Sequence, residues 1–402
     1  MLALVCVLTF LHHAGAQMRA PVLPLYAAAH GATPTTVGVI IGAHMAVAAI
    51  FSLPMGRASD RWDRGPLLLG GMAVSTVTSL VLPYAEGEVS LTIIYGLAGL
   101  GIAAFTPSAL SLVADTVAVG RAGQGYAWYS TAHYGAIAMG PFLGGLAAQW
   151  AGYRPAFLAS AVVTGIAMIV GLAVPARPPA HAGTRSSARV TDVIGNPAVW
   201  AGWIASVGGL LMQGAVFTFF PLLASRHGLT PSAIGFVFLV LGLANTVARF
   251  PAGWLVDRSG RPAPYAIAGL LIASAATALL PHVDSGMPLL VLAALCGGVS
   301  GLAFVAISTA LAAAATPATR GLVMGGYSTC LYLGLALGSF ALGPVISHQG
   351  YLVGFLAAGA AGALGTGVAA VLWRAGLHQG LNGGARASAE GSRADSSPRG
   401  PR

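Results

Sequence analysis

Residues 24–64 read PLYAAAHGATPTTVGVIIGAHMAVAAIFSLPMGRASDRWDR, and residues 221–261 read PLLASRHGLTPSAIGFVFLVLGLANTVARFPAGWLVDRSGR. The two stretches align without a gap at a shift of 197 residues, with 13 identities in 41 positions. Shared apolar composition would place the matches mainly at Ala, Leu and Val, whereas many of them fall at Pro, Gly and charged residues. The chain therefore contains two copies of one unit, and this duplication decides the fold.

The composition places the duplicated chain in a membrane. Of its 402 residues, 56% are hydrophobic and only 7% are charged, and the mean hydropathy is +0.80. Soluble domains carry about 25% charged residues, so an ordinary cytosolic enzyme, a disordered chain and a fibrous protein are excluded. A helix needs roughly 20 apolar residues to cross the hydrocarbon core, which leaves room for about twelve spans. We therefore predict an all-α membrane protein with twelve transmembrane helices in two pseudo-symmetric six-helix bundles.

Breaks at charged residues, Pro and Gly set the predicted organisation. The domains are an N-terminal six-helix bundle (1–174), a cytoplasmic linker (175–197), a C-terminal six-helix bundle (198–374) and a disordered cytoplasmic tail (375–402). Two like-oriented halves of this kind form a transporter architecture with substrate bound between them. The predicted spans are 2–28, 36–56, 66–84, 91–113, 125–149, 155–174, 198–224, 233–254, 264–282, 288–314, 321–347 and 351–373.

The arginines predict the orientation of these spans. All 19 basic residues are arginines, and the formal net charge is +9. They lie in short clusters between apolar runs, which argues against a nucleic-acid partner. With the N-terminus inside, sixteen of them, Arg249 included, fall on the cytoplasmic side, whereas only Arg154 and Arg226 fall outside. This bias predicts a multi-pass protein of the inner membrane with both termini in the cytoplasm.

Each copy of the repeat ends in a charged loop, Gly56-Arg57-Ala58-Ser59-Asp60-Arg61-Trp62-Asp63-Arg64 after span two and Gly253-Trp254-Leu255-Val256-Asp257-Arg258-Ser259-Gly260-Arg261 after span eight. Both loops resemble the G-x-x-x-D-R-x-G-R loop of the major facilitator superfamily, except that Asp63 stands where glycine is usual. The resemblance implies a latch that holds the cytoplasmic gate shut, since a carboxylate favours the positive end of a facing helix. Topology charges alone would explain the arginines but not two equivalent aspartates. The implied gating residues are Gly56, Asp60, Arg61, Arg64, Gly253, Asp257, Arg258 and Arg261.

Two further segments resemble the drug:proton antiporter branch of that superfamily. Gly140-Pro141-Phe142-Leu143-Gly144-Gly145 in span five resembles its G-P-x-x-G-G motif, which is associated with export, and Gly15–Pro24 in span one resembles its G-x5-P-v-x-P motif. Asp115 to Arg121 resembles the family's A-D-x5-R loop. The resemblance adds Asp115, Arg121, Gly140 and Pro141 to the gating residues. An ordinary kinked helix remains the alternative for Gly140-Pro141, because Gly and Pro are frequent in membrane spans.

The chain departs from the family in span four, where Tyr95 and Ala98 occupy the arginine and glutamine positions of the R-x-x-Q-G motif. Proton coupling by the familiar route is therefore in doubt. No Asp or Glu lies in the middle of a predicted span, so the groups there that titrate near neutral pH are histidines. They are His12, His13, His44 and His133. Taken singly, each is better explained as a neutral hydrogen-bonding residue.

Arg19 is the only arginine predicted to lie in the interior of a span. Because a charge at that depth is costly, we expect Arg19 to face protein or a water-filled cavity, where it binds an anionic or carbonyl-bearing substrate or pairs structurally. His12 and Arg19 share one helical face and His13 and Gln17 another, and either face is free to line the cavity. The candidate substrate-binding residues are Arg19, Gln17, His13, His44, Tyr129, His133, Gln213, Asn245 and Tyr327, with Tyr134, Phe217 and Tyr332 as further cavity candidates.

These features predict a secondary active transporter that exports small organic compounds, with a proton as the coupling ion. No phosphate-binding loop, zinc spacing or nucleophile motif is present, so we expect neither an enzyme nor a cofactor or metal. The expected partners are a small-molecule substrate and the lipid bilayer, and we expect a monomer. Two alternatives stay open: a proton-coupled importer of a small organic anion, and a membrane receptor or scaffold that transports nothing.

Overall fold

The computed structural model describes residues 1–61, 63–117, 122–174, 190–316 and 318–395, and these residues form helices without a strand. The predicted all-α fold is confirmed. Two short 3-10 turns, Leu82–Tyr84 and Leu280–His282, extend α4 and α11. The helices are α1 (Leu2–Gln17), α2 (Arg19–Ala29), α3 (Pro34–Arg61), α4 (Arg64–Val81), α5 (Gly87–Thr116), α6 (Ala122–Ala151), α7 (Tyr153–Gly171), α8 (Val190–Ile194), α9 (Pro197–Arg226), α10 (Pro231–Ser259), α11 (Pro262–Leu279), α12 (Gly286–Ala314) and α13 (Arg320–Asp395).

The helices are consistent with twelve spans. Helices α1 and α2 meet at Met18, whose φ of −54° and ψ of −30° are helical, so together they form the first span. Helix α13 contains two spans, because Gly350 has a φ of 85° and interrupts the helical backbone. Within the described residues, nine helices are long and apolar enough to cross a membrane.

Single glycines join two equivalent helix pairs. Gly152, with a φ of 92°, is the one residue between α6 and α7, and Gly350 divides α13 at the corresponding place in the second half. A positive φ is strained for residues with a Cβ atom, so glycine makes these one-residue turns possible. Each of the two turns therefore reverses the chain with almost no loop.

The linker and tail differ in how far the structure describes them. Residues 175–189 of the predicted linker lie outside the described residues, and α8 and Asn196 cover part of the remainder. The tail from 375 onward is expected from its sequence to be disordered, but helical backbone continues to Asp395. Extending an existing helix adds one hydrogen bond for each residue fixed, whereas forming a separate helix requires a costly first turn. Continuation of α13 into the tail is therefore favoured. Residues 396–402 lie outside the described part of the chain.

The packing inside the two bundles repeats the internal symmetry. A side chain on Gly99 of α5 would collide with the carbonyl oxygen of His44 in α3, and one on Gly297 of α12 would collide with that of Leu241 in α10. His44 and Leu241 are equivalent at the repeat shift of 197 residues. Both bundles therefore use the same glycine-to-carbonyl contact, which lets helix backbones approach closely in lipid.

The two bundles contact each other where α3 and α10 begin, an end that we call the outer end after the predicted orientation. Gly145 of α6 lies against the carbonyl oxygen of Pro231 in α10, and a methyl group built on Gly343 of α13 would lie 3.0 Å from that of Pro34 in α3. Pro34 and Pro231 are equivalent in the repeat. The outer end is therefore closed by two symmetry-related interfaces, α6 with α10 and α3 with α13.

Hydrogen bonds add to both interfaces at the same end. The hydroxyl groups of Thr35 and Ser347 lie 2.8 Å apart between α3 and α13. Ser232 of α10 donates its hydroxyl proton to the side-chain oxygen of Gln149 in α6. These polar contacts fix the register in which the glycines meet the opposing carbonyls.

The opposite, inner end is open at the positions of the two loop motifs. A methyl group built on Gly253 would meet no heavy atom of the described residues within 4 Å. One built on Gly56 would have Pro107 of its own bundle as its neighbour, at 3.9 Å. A methyl group built on Gly325, near the start of α13, would lie 3.3 Å from the Leu53 side chain of α3, so the bundles still touch further in. With the predicted orientation, the structure is closed toward the outside, and its described residues are separated at the two loop motifs on the cytoplasmic side.

Gly145→Leu should weaken the closure of the whole outer end, because the new side chain cannot share space with the Pro231 carbonyl. We expect a several-fold lower yield of oxidative cross-linking between cysteines placed at Thr35 and Ser347, in the other interface. Gly367→Leu, at an exposed glycine with no neighbour within 4 Å, is the matched control. Equal yields for the two leucine variants would show that the two interfaces close independently.

Candidate functional site

The polar residues of the first span point to different neighbours. The ring of His12 stacks on Phe105 of α5 at a centroid distance of 4.1 Å, while His13 meets His133 of α6 edge-on at 4.3 Å. Gln17 lies beside Gly140 of α6, where a methyl group built on the glycine would be 2.6 Å from its Cβ atom. The His13 and Gln17 face is therefore directed at α6, and the His12 face is directed at α5.

Arg19 is enclosed by its own bundle. Its side chain is 1% exposed, its Nε atom donates to the carbonyl oxygen of Ala16 at 3.2 Å, and its Nη1 atom donates to the Thr78 hydroxyl at 3.3 Å. Its guanidinium carbon lies 5.5 Å from the centroid of the Tyr95 ring. Neutral groups therefore surround this buried cation, and the ion pairs among the described side chains lie elsewhere.

Tyr95 connects Arg19 to a second buried polar residue, His44. The His44 ring stacks on the Tyr95 ring at 4.3 Å, and its Nδ1 atom donates to the Tyr95 carbonyl oxygen at 2.9 Å. Tyr95 occupies the position of the arginine in the span-four motif. In this chain the guanidinium group of Arg19, from the first span, lies near the Tyr95 ring, so a positive charge is present close by although the motif is lost.

A second cluster contains polar atoms without partners. His13 donates from Nδ1 to the carbonyl oxygen of Thr9 at 3.0 Å, which leaves its Nε2 atom as an acceptor. That Nε2 atom, the Nδ1 atom of His133 and the hydroxyl group of Tyr129 are buried and have no hydrogen-bond partner among the described residues. Buried polar groups are nearly always hydrogen-bonded, so each exception needs an explanation. The three groups lie together between α1 and α6, where a polar ligand group would satisfy them.

Arg249 is the site residue that the sequence patterns do not reveal. The arginine distribution places it on the cytoplasmic side, yet its guanidinium carbon lies 3.6 Å from the ring centroid of Tyr134 in the other bundle. Its Nε atom donates to the side-chain oxygen of Asn245 at 3.0 Å. Arg19 is therefore not the only arginine inside a span, which corrects that prediction. One feature of the sequence could have identified Arg249: it lies five residues inside the predicted span 233–254, one helical turn after the candidate Asn245.

The remaining candidates divide between two places: the region where Arg249 meets Tyr134 between the bundles, which we call the cleft, and the interior of the C-terminal bundle. Tyr327 of α13 lies near Tyr134 and Arg249. Tyr332 of the same helix lies near Tyr134. Gln213 and Phe217 instead line a small crevice between α9, α10, α11 and α12, inside one bundle. Asn245 and the tyrosines are thus brought together across the bundles, and Gln213 is not.

The charged loops are only partly described. Arg64 forms an ion pair with Asp115 and donates to the carbonyl oxygen of Ser111 at 2.7 Å, so this pair joins α4 to α5 within one bundle. Asp63 caps α4 by accepting from the Gly65 N–H at 3.0 Å, whereas Gly260 in the second copy ends α10 with a φ of 63°. This difference explains why the first copy has an aspartate where the family has glycine. The side chains of Asp60 and Arg61, and all of Arg121, lie outside the described residues.

The glycines of the span-five motif face two different helices. A methyl group on Gly140 would lie 2.6 Å from the carbonyl oxygen of Ala14, and one on Gly144 would collide with that of Met18, both in the first span. Gly145 faces Pro231 of the other bundle, and the carbonyl oxygen of Pro141 is 2.6 Å from a methyl group built on Gly235. The motif therefore packs α6 against the first span on one side and against α10 on the other.

Known proteins resemble the chain over most of its length. A family model described as Major Facilitator Superfamily matches residues 5–282 and 210–391. An uncharacterised MFS-type transporter of Methanocaldococcus jannaschii is 22% identical over 83% of this chain and 88% of its own. The multidrug resistance protein MdtG of Enterobacter lignolyticus is 25% identical over 86% of each chain, and that of Citrobacter koseri is 26% identical over 75% of this chain and 77% of its own.

Solved structures show the same fold. A bacterial homologue of the human lysosomal transporter Spinster, in an inward-facing and occupied conformation, aligns with a TM-score of 0.79. It shares 16% sequence identity, and the alignment covers 94% of this chain and 96% of that one.

Thr78→Val should destabilise the protein, because it removes the hydroxyl group that accepts from the buried Arg19. Leaving such a donor unpaired costs about 1–3 kcal/mol, so we expect a lower apparent Tm in detergent. Thr92→Val is the control, since Thr92 makes the same bond to its own helix as Thr78 does, to the carbonyl oxygen four residues earlier. An equal Tm for both variants would contradict a stabilising role for the Arg19–Thr78 contact.

Proposed function

This chain belongs to the Major Facilitator Superfamily, and from that premise we propose that it exports small organic compounds across the inner membrane, with proton entry as the driving force. It is a transporter by family, with several apolar helices that cross the membrane. The similarity to MdtG proteins supports export of drug-like or metabolite-like compounds. The sequence motifs and the contacts between the bundles support a rocking motion, a cytoplasmic latch, a substrate site and a proton site.

The single observation that carries the proposal is the duplicated outer closure. Gly145 against Pro231 and Gly343 against Pro34 hold the bundles together at one end, while Gly56 and Gly253 at the other end are free of the described residues of the opposing bundle. Two rigid bundles joined by paired interfaces at one end are arranged to rock about those interfaces. Opening the outer interfaces would close the inner end and present the cleft to the outside.

The loop motifs are the proposed latch for the alternative state. Asp257 and Arg258 end α10, and Asp60 and Arg61 end α3. When the inner ends approach, the aspartates would meet helix N-termini of the opposing bundle, where the helix dipole favours negative charge. Arg64 and Asp115 already hold α4 to α5, so their pair keeps the N-terminal bundle rigid as it moves.

The proposed substrate site is the cleft lined by Tyr134, Asn245, Tyr327 and the neighbouring His133. Aromatic and amide groups between apolar helices suit an amphipathic organic compound. Arg19 and His44 are sealed within the N-terminal bundle in this state, so we assign them to positioning Tyr95. Contact between substrate and Arg19 would require α2 to move away from α4.

The pair of His13 and His133 is the proposed proton site. Their rings meet edge-on between α1 and α6, and each ring has a buried nitrogen atom without a partner among the described residues. Histidine is the side chain best suited to gain and lose a proton near neutral pH. A driving ion must bind the two states with different affinity. Both residues lie near the joint that Gly140 and Gly144 make between the first span and α6, so rearrangement there would change their surroundings.

The proposal includes the predicted orientation and oligomeric state. Both termini lie in the cytoplasm and the protein works as a monomer. The inner end, where Gly253 has no neighbour among the described residues, then faces the cytoplasm, the side from which an exporter collects its substrate.

Transport itself is tested in inside-out vesicles, with compounds chosen by a toxicity screen in an efflux-deficient host. We expect accumulation when the vesicle interior is acidified and loss of accumulation with a protonophore. Gly140→Leu and Asp257→Asn should abolish turnover while still reaching the membrane, whereas Gly367→Ala should retain it. Uptake into right-side-out vesicles under an inward proton gradient would instead indicate import. An intact ligand response in both variants without any flux would indicate a receptor or scaffold.

Proton coupling is tested by His13→Asn and His133→Asn. Each variant should lose substrate-driven proton movement, because asparagine does not take up a proton in this range. His348→Asn, at an exposed histidine near the outer turn, should behave like the wild type. Full proton movement in both cluster variants would rule out this pair as the coupling site.

A further inference from the structure

Arg249 carries a positive charge deep into the cleft between the bundles. It lies ten residues before the end of α10 at Ser259, which corresponds to about 15 Å along the helix. Its side chain is half-buried. This cation is therefore inside the membrane-spanning part of the protein and, unlike Arg19, is open to the cleft.

The partners of Arg249 are neutral. They are the Asn245 side-chain oxygen at 3.0 Å and the face of the Tyr134 ring at 3.6 Å. Among the described side chains, the acidic groups that contact a basic group are Asp115, paired with Arg64, and Asp284, beside His227, both at helix ends. The charge of Arg249 is thus held by a ring and an amide, with no acidic group of the described residues paired to it.

A ring face and an amide oxygen leave most of the hydrogen-bonding capacity of a guanidinium group unused. Arginine has five N–H donors in a planar fork that matches a carboxylate or a sulfonate with two parallel bonds. Such charge-assisted bonds are about twice as strong as neutral ones and strengthen as water is excluded. A cationic compound would be repelled at the same place, and a neutral one would gain little.

The surroundings also define the apolar part of a ligand. Tyr134 of the N-terminal bundle lies under the guanidinium group of Arg249, and Tyr327 and Tyr332 of α13, in the same bundle as Arg249, lie near Tyr134. A planar aromatic ring fits between tyrosine side chains through offset or edge-to-face contacts. The site therefore combines one fixed positive charge with an aromatic wall.

We propose that Arg249, Asn245 and Tyr134 form an anion-selective subsite in the cleft, and that its ligand is an amphipathic organic anion with an aromatic ring. This inference rests on the proposed transport function and names the substrate class of the same cleft. The anion takes the fork of Arg249, and its ring packs against the tyrosines. Since Tyr134 belongs to one bundle and Arg249 to the other, the ligand contacts both halves.

Three probes of one shape test the subsite: 2-naphthoate, 2-naphthol and 2-naphthylmethylammonium. Binding is measured by calorimetry on the purified full-length protein in detergent, and flux is measured separately in proteoliposomes. We expect naphthoate to bind about 10- to 100-fold more tightly than either other probe, as a charge-assisted bond implies. Arg249→Gln should remove this preference, and Arg249→Lys should keep part of it, since lysine keeps the charge but not the fork.

Arg226→Gln is the matched control. Arg226 also lies over a tyrosine ring, at 4.7 Å from Tyr351, but it is exposed at the outer end of α9. This variant should bind all three probes like the wild type. If Arg249→Gln does not fold, the wild-type probe series and Arg249→Lys still decide the matter.

Equal or tighter binding of the neutral or cationic probe by the wild type would overturn the subsite, as would an unchanged preference in Arg249→Gln. Flux of the probes without any preference for charge would also overturn it while leaving the proposed transport intact. Selective, Arg249-dependent binding of naphthoate without flux of any probe would support the subsite and contradict the transport.

Discussion

The close approach of glycine to a backbone carbonyl of an opposing helix is the contact on which this structure depends. In lipid there is no hydrophobic force that drives apolar helices together, so association relies on van der Waals packing at small residues. Gly99 and Gly297 make such contacts within the bundles, and Gly145 and Gly343 make them between the bundles. The interior contacts hold each bundle as one body. The contacts between bundles can separate without breaking either body, because few polar bonds accompany them.

The fixed charge inside the membrane is the second constraint. Arg19 and Arg249 are both held by neutral partners, one sealed within a bundle and one open to the cleft. A buried ion is tolerated when hydrogen bonds and rings satisfy it. The difference in exposure underlies the two roles that we propose: Arg19 positions Tyr95 and His44, whereas Arg249 binds a ligand. The unpartnered atoms of His13 and His133 lie where α1 meets α6, so a change in the packing of these two helices would change the surroundings of a proton bound there.

Much of the fold is predictable from the sequence, because the internal repeat and the apolar spans are both visible in the order of the residues. The site is less predictable, because it depends on which face of each helix meets which neighbour. His12 and His13 are adjacent in sequence, yet one faces α5 and the other α6. The arginine distribution assigns Arg249 to the cytoplasmic side, because the positive-inside rule counts arginines near the ends of spans. The rule does not consider whether an arginine packs on an aromatic ring inside the protein, as Arg249 does on Tyr134. The role of Asp63 as a helix cap is likewise invisible in the sequence, since it depends on where α4 begins.

The one-residue turns at Gly152 and Gly350 have a mechanical consequence. Because only one residue connects the helices on either side of each glycine, the two helices of each hairpin cannot separate at the outer surface and move together as one rigid unit. Changes in helix separation during a transport cycle must then be taken up by the longer connections at the inner surface. Insertions, tags and exchanged segments should therefore be accommodated in those inner connections, whereas one extra residue at either glycine would shift the register of an entire hairpin.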